Sequence, residues 1–193
     1  MIEVIGLILI AMLAENMVLV KCLGLGWPKD TIMTEAGAWR MGVSLVLVMV
    51  VTTLVSWVVN RCILEFFGVT YFRLLVYTLL TYGVVRLLEV GLRVFFPVLH
   101  RHLRRYLSET IYNCAVLGVA LLITTRSYTL PQALLYSLAS GVGILLVLVI
   151  FTGMQEQASF QNCPKFFRGY PIGLLTAGLM AMALMGFYGL NIT

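Results

Sequence analysis

The chain has 193 residues, of which 61% are hydrophobic and only 11% charged, with a net charge of +5. A soluble domain carries about 25% charged residues, so this composition excludes a water-covered globule and implies an integral membrane protein. The positive balance then reflects basic loops facing anionic lipid headgroups, not a nucleic-acid surface.

At about 20 apolar residues per span, the length accommodates six transmembrane helices joined by short loops. The first apolar segment has neither a basic leader nor a small-residue cleavage site, so it reads as a span and not as a signal peptide. It runs roughly from Ile5 to Leu25 and is interrupted by Glu15, Asn16 and Lys21. A charge near the bilayer centre is costly, so such residues face protein or trapped water. Gly24, Gly26 and Pro28 then weaken helix continuity. Span two, Met41 to Val59, is uncharged and rich in Val and Leu. Span three, Tyr71 to Phe95, contains Arg86 and Glu89, three residues apart on one helical face and placed to neutralise each other.

Pro97 opens a connection in which His100, Arg101, His102, Arg104 and Arg105 crowd together, a pattern that reads as an anchor beneath lipid headgroups in preference to a nucleotide or metal site. Span four, Leu107 to Thr125, carries Asn113 and Cys114 inside its apolar run. Span five, Gln132 to Thr152, contains Ser140-Gly141-Val142-Gly143, small enough to let another helix approach closely. Span six, Ile172 to Gly189, is rich in small residues and Met.

With six spans, the first, third and fifth loops share one side and carry eight basic residues, against three on the other. The positive-inside rule places those three loops in the cytoplasm and both termini outside it. The halves, roughly 1–96 and 97–193, hold three spans each, and an odd number gives them opposite orientations. This is a 3+3 inverted repeat within a single transmembrane domain, the architecture in which broken helices gather functional groups near the midplane.

Two cysteines are suggestive. Cys22 and Cys114 share the pattern Cys-x-x-Leu-Gly and lie about half a chain apart. Approaching from opposite faces, they would give two of the four thiolates that an iron–sulfur cluster needs, with a partner chain supplying the rest. The bland alternative is a pair of buried cysteines acting as small hydrophobes. Cys62 and Cys163 lie near opposite aqueous faces. Glu15, Asn16 and Asn113 are candidates for an ion path, and the two asparagines equally for capping backbone freed at helix breaks. No catalytic triad, phosphate loop or dinucleotide fingerprint is present.

Several runs carry a resemblance: Asn16-Met17-Val18-Leu19-Val20-Lys21-x-Leu23-Gly24-Leu25, Asn113-Cys114-Ala115-Val116-Leu117-Gly118-Val119-Ala120-Leu121, Phe167-Arg168-Gly169, and Leu175-Thr176-Ala177-Gly178-Leu179-Met180. Nearly the whole chain, in order, resembles the RnfA membrane subunits of Rnf electron-transport complexes. Their close counterpart is the NqrE membrane subunit of the sodium-pumping NADH:quinone reductase. The resemblance implies an all-α protein of six helices in a 3+3 inverted repeat, with the first and fourth broken, in a bacterial or archaeal inner membrane. It implies a homologous partner of opposite topology (the RnfE type) alongside other Rnf subunits. Between the two partners it implies an intramembrane [2Fe–2S] cluster on four cysteines, carrying electrons across the membrane in a translocase that moves Na⁺ or H⁺. Catalysis would lie on other subunits.

Cys114 matches the family's second-half ligand. The family's first-half cysteine follows Leu-Gly-x, where this chain has Gly26, and Cys22 stands one helical turn earlier as the candidate replacement. Two readings from other classes remain beside this one: a non-redox inverted-repeat channel or transporter lined by Glu15, Asn16 and Asn113, and a scaffold subunit without the cluster.

Overall fold

The structure, a computed structural model, describes residues 6, 8, 11, 12, 16–21, 35–64, 70–111, 113–160 and 170–186. Among them are six α-helices and no strand: α1 (Glu35–Val59), α2 (Arg73–Phe95), α3 (Pro97–Thr110), α4 (Cys114–Thr125), α5 (Leu130–Phe160) and α6 (Tyr170–Met185). A π-helical turn, Asn60–Leu64, extends α1, and a 3-10 turn, Thr70–Phe72, leads into α2. The chain is an all-α membrane protein. Three helical segments are long and apolar enough to cross a bilayer: Glu35–Leu64, Arg73–Val94 and Leu130–Gln157. A fourth span is broken, with Arg101–Thr110 and Cys114–Thr125 meeting at a 65° bend. Pro171–Met185 is a shorter apolar helix.

The broken fourth span agrees with expectation, but its first arm extends farther back. The run after Pro97 is not an extended loop. It forms α3, with Pro97 itself in the first turn, where its missing N–H costs nothing. The charged residues are confined to one side of α3: Leu103 and Leu107 are buried and Tyr106 half-buried, while Arg101, Arg104 and Arg105 are exposed. Buried positions at i, i+3 and i+4 are the mark of an amphipathic helix. The fifth span is also longer than its apolar core, because α5 continues through polar residues to Phe160.

The core is built around α1 packed against α5. Without a water-driven hydrophobic effect between helices in lipid, close approach and dispersion must hold them together. Glycine supplies the approach. A Cβ on Gly141 would meet the Val46 backbone Cα at 3.2 Å, and one on Gly143 would meet the Met12 carbonyl oxygen at 2.7 Å. Leu45, Val48 and Met49 of α1 and Ile144, Val147 and Leu148 of α5 fill this seam, joined by Val116 and Val119 of α4. On the outside, Leu74, Leu75, Leu79, Leu87 and Val90 of α2 are exposed, as expected for a helix with lipid or another protein as its neighbour.

Candidate functional site

The site is defined by two buried asparagines whose side chains accept from the backbone in the same manner, Asn113 at the bend between α3 and α4 and Asn16 at the start of the turn Met17–Val20. Asn113 is the N-cap of α4, with an extended backbone conformation and its side-chain Oδ1 accepting from Ala115 N–H at 2.9 Å. Its own carbonyl accepts from Val116 N–H at 3.2 Å. Asn16, in the other half, has its Oδ1 accepting from Val18 N–H at 3.0 Å, with Leu19 N–H at 3.4 Å. Its Nδ2 donates back to the Met12 carbonyl at 3.2 Å, and its own carbonyl accepts from Val20 and Lys21. Both side chains are almost fully buried. In an apolar interior an unpaired backbone amide costs several kcal/mol, so an amide side chain at each break is what lets the break exist. Both asparagines therefore have a structural role, whatever else they do.

Aligning the two halves on these caps places Met17 opposite Cys114. Met17 is fully buried, whereas Cys114 is exposed with a free thiol. The Cys-x-x-Leu-Gly echo sets a different register, and its first copy, Cys22 to Gly26, lies outside the described residues. Cys114 opens the first turn of α4, where unpaired backbone N–H groups concentrate partial positive charge that favours a thiolate or an anionic group. Its helix neighbours Ala115, Val116 and Val119 are buried. The thiol thus sits at the edge of a packed helix and opens away from the chain's own core. Cys22 and Glu15 lie outside the described residues, as do Cys163 and Phe167-Arg168-Gly169. Among the described residues no group of three or more His, Cys, Asp or Glu side chains is placed to hold a metal. Cys62 is exposed on the π-turn that follows α1, apart from Cys114.

Two polar contacts near α4 join residues far apart in sequence. Ser44 of α1 and Thr110, just before the break, bring their hydroxyls to 3.4 Å, both buried. At the far end of α4, Tyr77 donates to Asn60 Oδ1 at 3.3 Å and its hydroxyl lies 2.8 Å from Thr124 Oγ1. The first contact ties the end of α3 to α1, and the second ties the far end of α4 to α2 and the π-turn. The only local signal for them was polar residues inside otherwise apolar spans.

Beside Asn16, an apolar cavity of about 210 Å³ opens between α5 and α6, lined by Met12, Leu146, Ile150, Met180 and Leu184. Arg86 and Glu89 pair at 3.2 Å, as their spacing suggested, and Arg104 approaches the same carboxylate at 3.8 Å.

A family model described as "Rnf-Nqr subunit, membrane protein" matches residues 4–191, spanning both asparagine breaks and Cys114. The chain belongs to the Rnf-Nqr membrane-subunit family. A relative from Cereibacter sphaeroides, named as the A subunit of an ion-translocating oxidoreductase complex, is 42% identical over 92% of each chain. Proteins of the same name from Edwardsiella ictaluri and Escherichia fergusonii are 39% identical over the same share. The family's description as a membrane protein agrees with the membrane-spanning helices.

Proposed function

We propose that this chain is a membrane subunit of an ion-translocating oxidoreductase complex of the Rnf type, and that Cys114 is its firmest ligand to a [2Fe–2S] cluster shared with a homologous partner of opposite topology. Membership of the complex is supported by the three relatives, each of which carries the name of such a complex and is matched over nearly its whole length. The observation that carries the cluster reading is the position of Cys114: a free, exposed thiol at a helix N-terminus in a chain read as membrane-spanning, on a helix whose other face is packed. A single thiol on the outer side of a membrane helix fits a ligand set completed by another chain. The bound cluster would supply one-electron transfer across the apolar layer. This chain's own contribution is positional. Asn113 fixes where α4 begins, the α4 backbone aims partial positive charge at the sulfur, Ser44 holds the end of α3 that precedes the break, and Tyr77 holds the far end of α4. Cys22 is the proposed second ligand from this chain.

The orientation follows from loop charge: first, third and fifth loops in the cytoplasm, termini outside. Coupling moves Na⁺ or H⁺, with Glu15, Asn16 and Asn113 the candidate residues of an ion path. Iron and acid-labile sulfide measured on the purified complex test the reading. Cys114→Ser should remove the cluster's iron and its spectroscopic signal while leaving the assembled complex in place. Unchanged iron in both Cys114→Ser and Cys22→Ser would sink it. Loss in Cys114→Ser alone would leave Cys114 as this chain's ligand and remove Cys22. The presence of Gly26 where the family has cysteine favours one second reading, a scaffold subunit without the cluster, for which the wild-type complex would lack this iron.

A further inference from the structure

The end of α2 and the start of α3 form a wide groove unrelated to the helix breaks. It is open, about 1130 Å³ in volume, and lined by Arg86, Arg93, Arg101 and Arg104 with Glu89 and His102. Glu89 is the single carboxylate among these lining residues. It pairs with Arg86 at 3.2 Å and Arg104 at 3.8 Å, whereas no ion pair engages Arg93 or Arg101 among the described residues. The groove therefore keeps two uncommitted guanidiniums beside a half-neutralised cluster. His102 turns its Nδ1 to the Val98 carbonyl at 2.9 Å and so stays on the helix.

The surroundings of this charge are apolar. Val90 and Val98 line the groove, and Leu87, Val94 and Phe96 beside it are all more than 60% exposed. A water-filled binding site does not need such flanks. A molecule with an anionic head and hydrocarbon tails does, because guanidinium binds phosphate oxygens in a fork geometry while long apolar chains cover exposed Leu and Val. Arg93 and Arg101 flank the α2–α3 junction, where a span ends and an amphipathic helix begins, the depth at which headgroups lie.

The geometry points to a binding site for an anionic phospholipid, its phosphate held between Arg93 and Arg101 and its acyl chains along the outer face of α2. On the orientation expected from loop charge, this is a lipid of the cytoplasmic leaflet.

The test uses the full chain, extracted in mild detergent with whatever proteins accompany it, and native mass spectrometry of retained lipid. Phosphatidylglycerol and phosphatidylcholine are supplied in equal amounts. Wild type should retain phosphatidylglycerol in preference. Arg93→Gln with Arg101→Gln should reduce that preference by about thirtyfold, the effect expected of two cations near an anionic headgroup. Arg93→Lys with Arg101→Lys should keep most of it, and Arg40→Gln with Arg61→Gln, exposed cations elsewhere, should leave it intact. Equal retention of both lipids by wild type overturns the proposal, as does an undiminished preference in the Gln pair. Displacement of phosphatidylglycerol by millimolar inorganic phosphate would mark a free-phosphate site. Loss of an accompanying protein from the Gln pair, with lipid retention unchanged, would mark a protein contact. Either result also overturns the assignment.

Discussion

At the scale of single residues, the chain's unusual feature is an amide used as a splice. Asn113 replaces a missing turn of hydrogen bonding with one side-chain acceptor, and Asn16 does the same with one acceptor and one donor. Removing a side-chain cap costs typically about 1 kcal/mol in water, and the alternative partner, water, is scarce in lipid. Asn113→Leu is therefore expected to lower the thermal unfolding temperature of the detergent-solubilised chain by several degrees. Asn113→Ser, which keeps an acceptor oxygen, should recover at least half of that loss. A Leu variant as stable as wild type would show the cap to be dispensable. The buried phenol gives a second test. Tyr77→Phe removes the link to Asn60 and Thr124 without changing packing, so a loss of about 0.6–1 kcal/mol is expected in the same assay. Asn113 and Cys114 were legible as singular residues because each is conspicuous inside an apolar run. The clamps were not, since Ser44 and Thr110 come together only through tertiary packing and neither looks unusual on its own helix.

At the scale of elements, the seam between α1, α5 and the segment before Asn16 depends on two missing side chains. A Cβ at Gly143 would press on a carbonyl oxygen of the peptide backbone, which cannot rotate away. Gly143→Val should therefore abolish recovery of folded protein, and Gly141→Val should destabilise strongly. Gly83→Ala on α2, where nothing lies within 4 Å, should be neutral or slightly stabilising through helix propensity. Monodisperse yield on size exclusion distinguishes the three. The small-residue run of α5 announced this seam in advance, because few other reasons place Ser-Gly-Val-Gly inside a span. The element that escaped sequence reading was α3. Its crowded cations resemble a solvated connection, and they obscure the spacing of Leu103, Tyr106 and Leu107 that makes one side of it apolar.

At the scale of the whole molecule, the composition alone dictated a helical membrane protein, and the long apolar runs located α1, α2 and α5 to within several residues. What composition could not supply is which surfaces are unfinished. Cys62 and Cys114 are both exposed in the chain by itself, yet the proposed assembly covers only the second. A membrane-impermeant maleimide applied to opened membranes, with both faces accessible, should label Cys62 and leave Cys114 unmodified. Denaturing the same sample should make both reactive. Rapid labelling of Cys114 in the native membrane would mean that water, not a sister chain, faces it.

The tight glycine contacts have a mechanical corollary. A helix whose backbone touches another backbone has no room to slide, so α1, α5 and the Asn16 segment behave as one keel. Gly83 and Gly91 of α2 and Gly178 of α6, by contrast, face open space. In the proposed complex, a shape change during turnover is therefore expected in those outer helices: a chemical cross-link tying α2 to its neighbours should slow electron transfer by the purified complex, while one drawn across the keel should leave it unchanged.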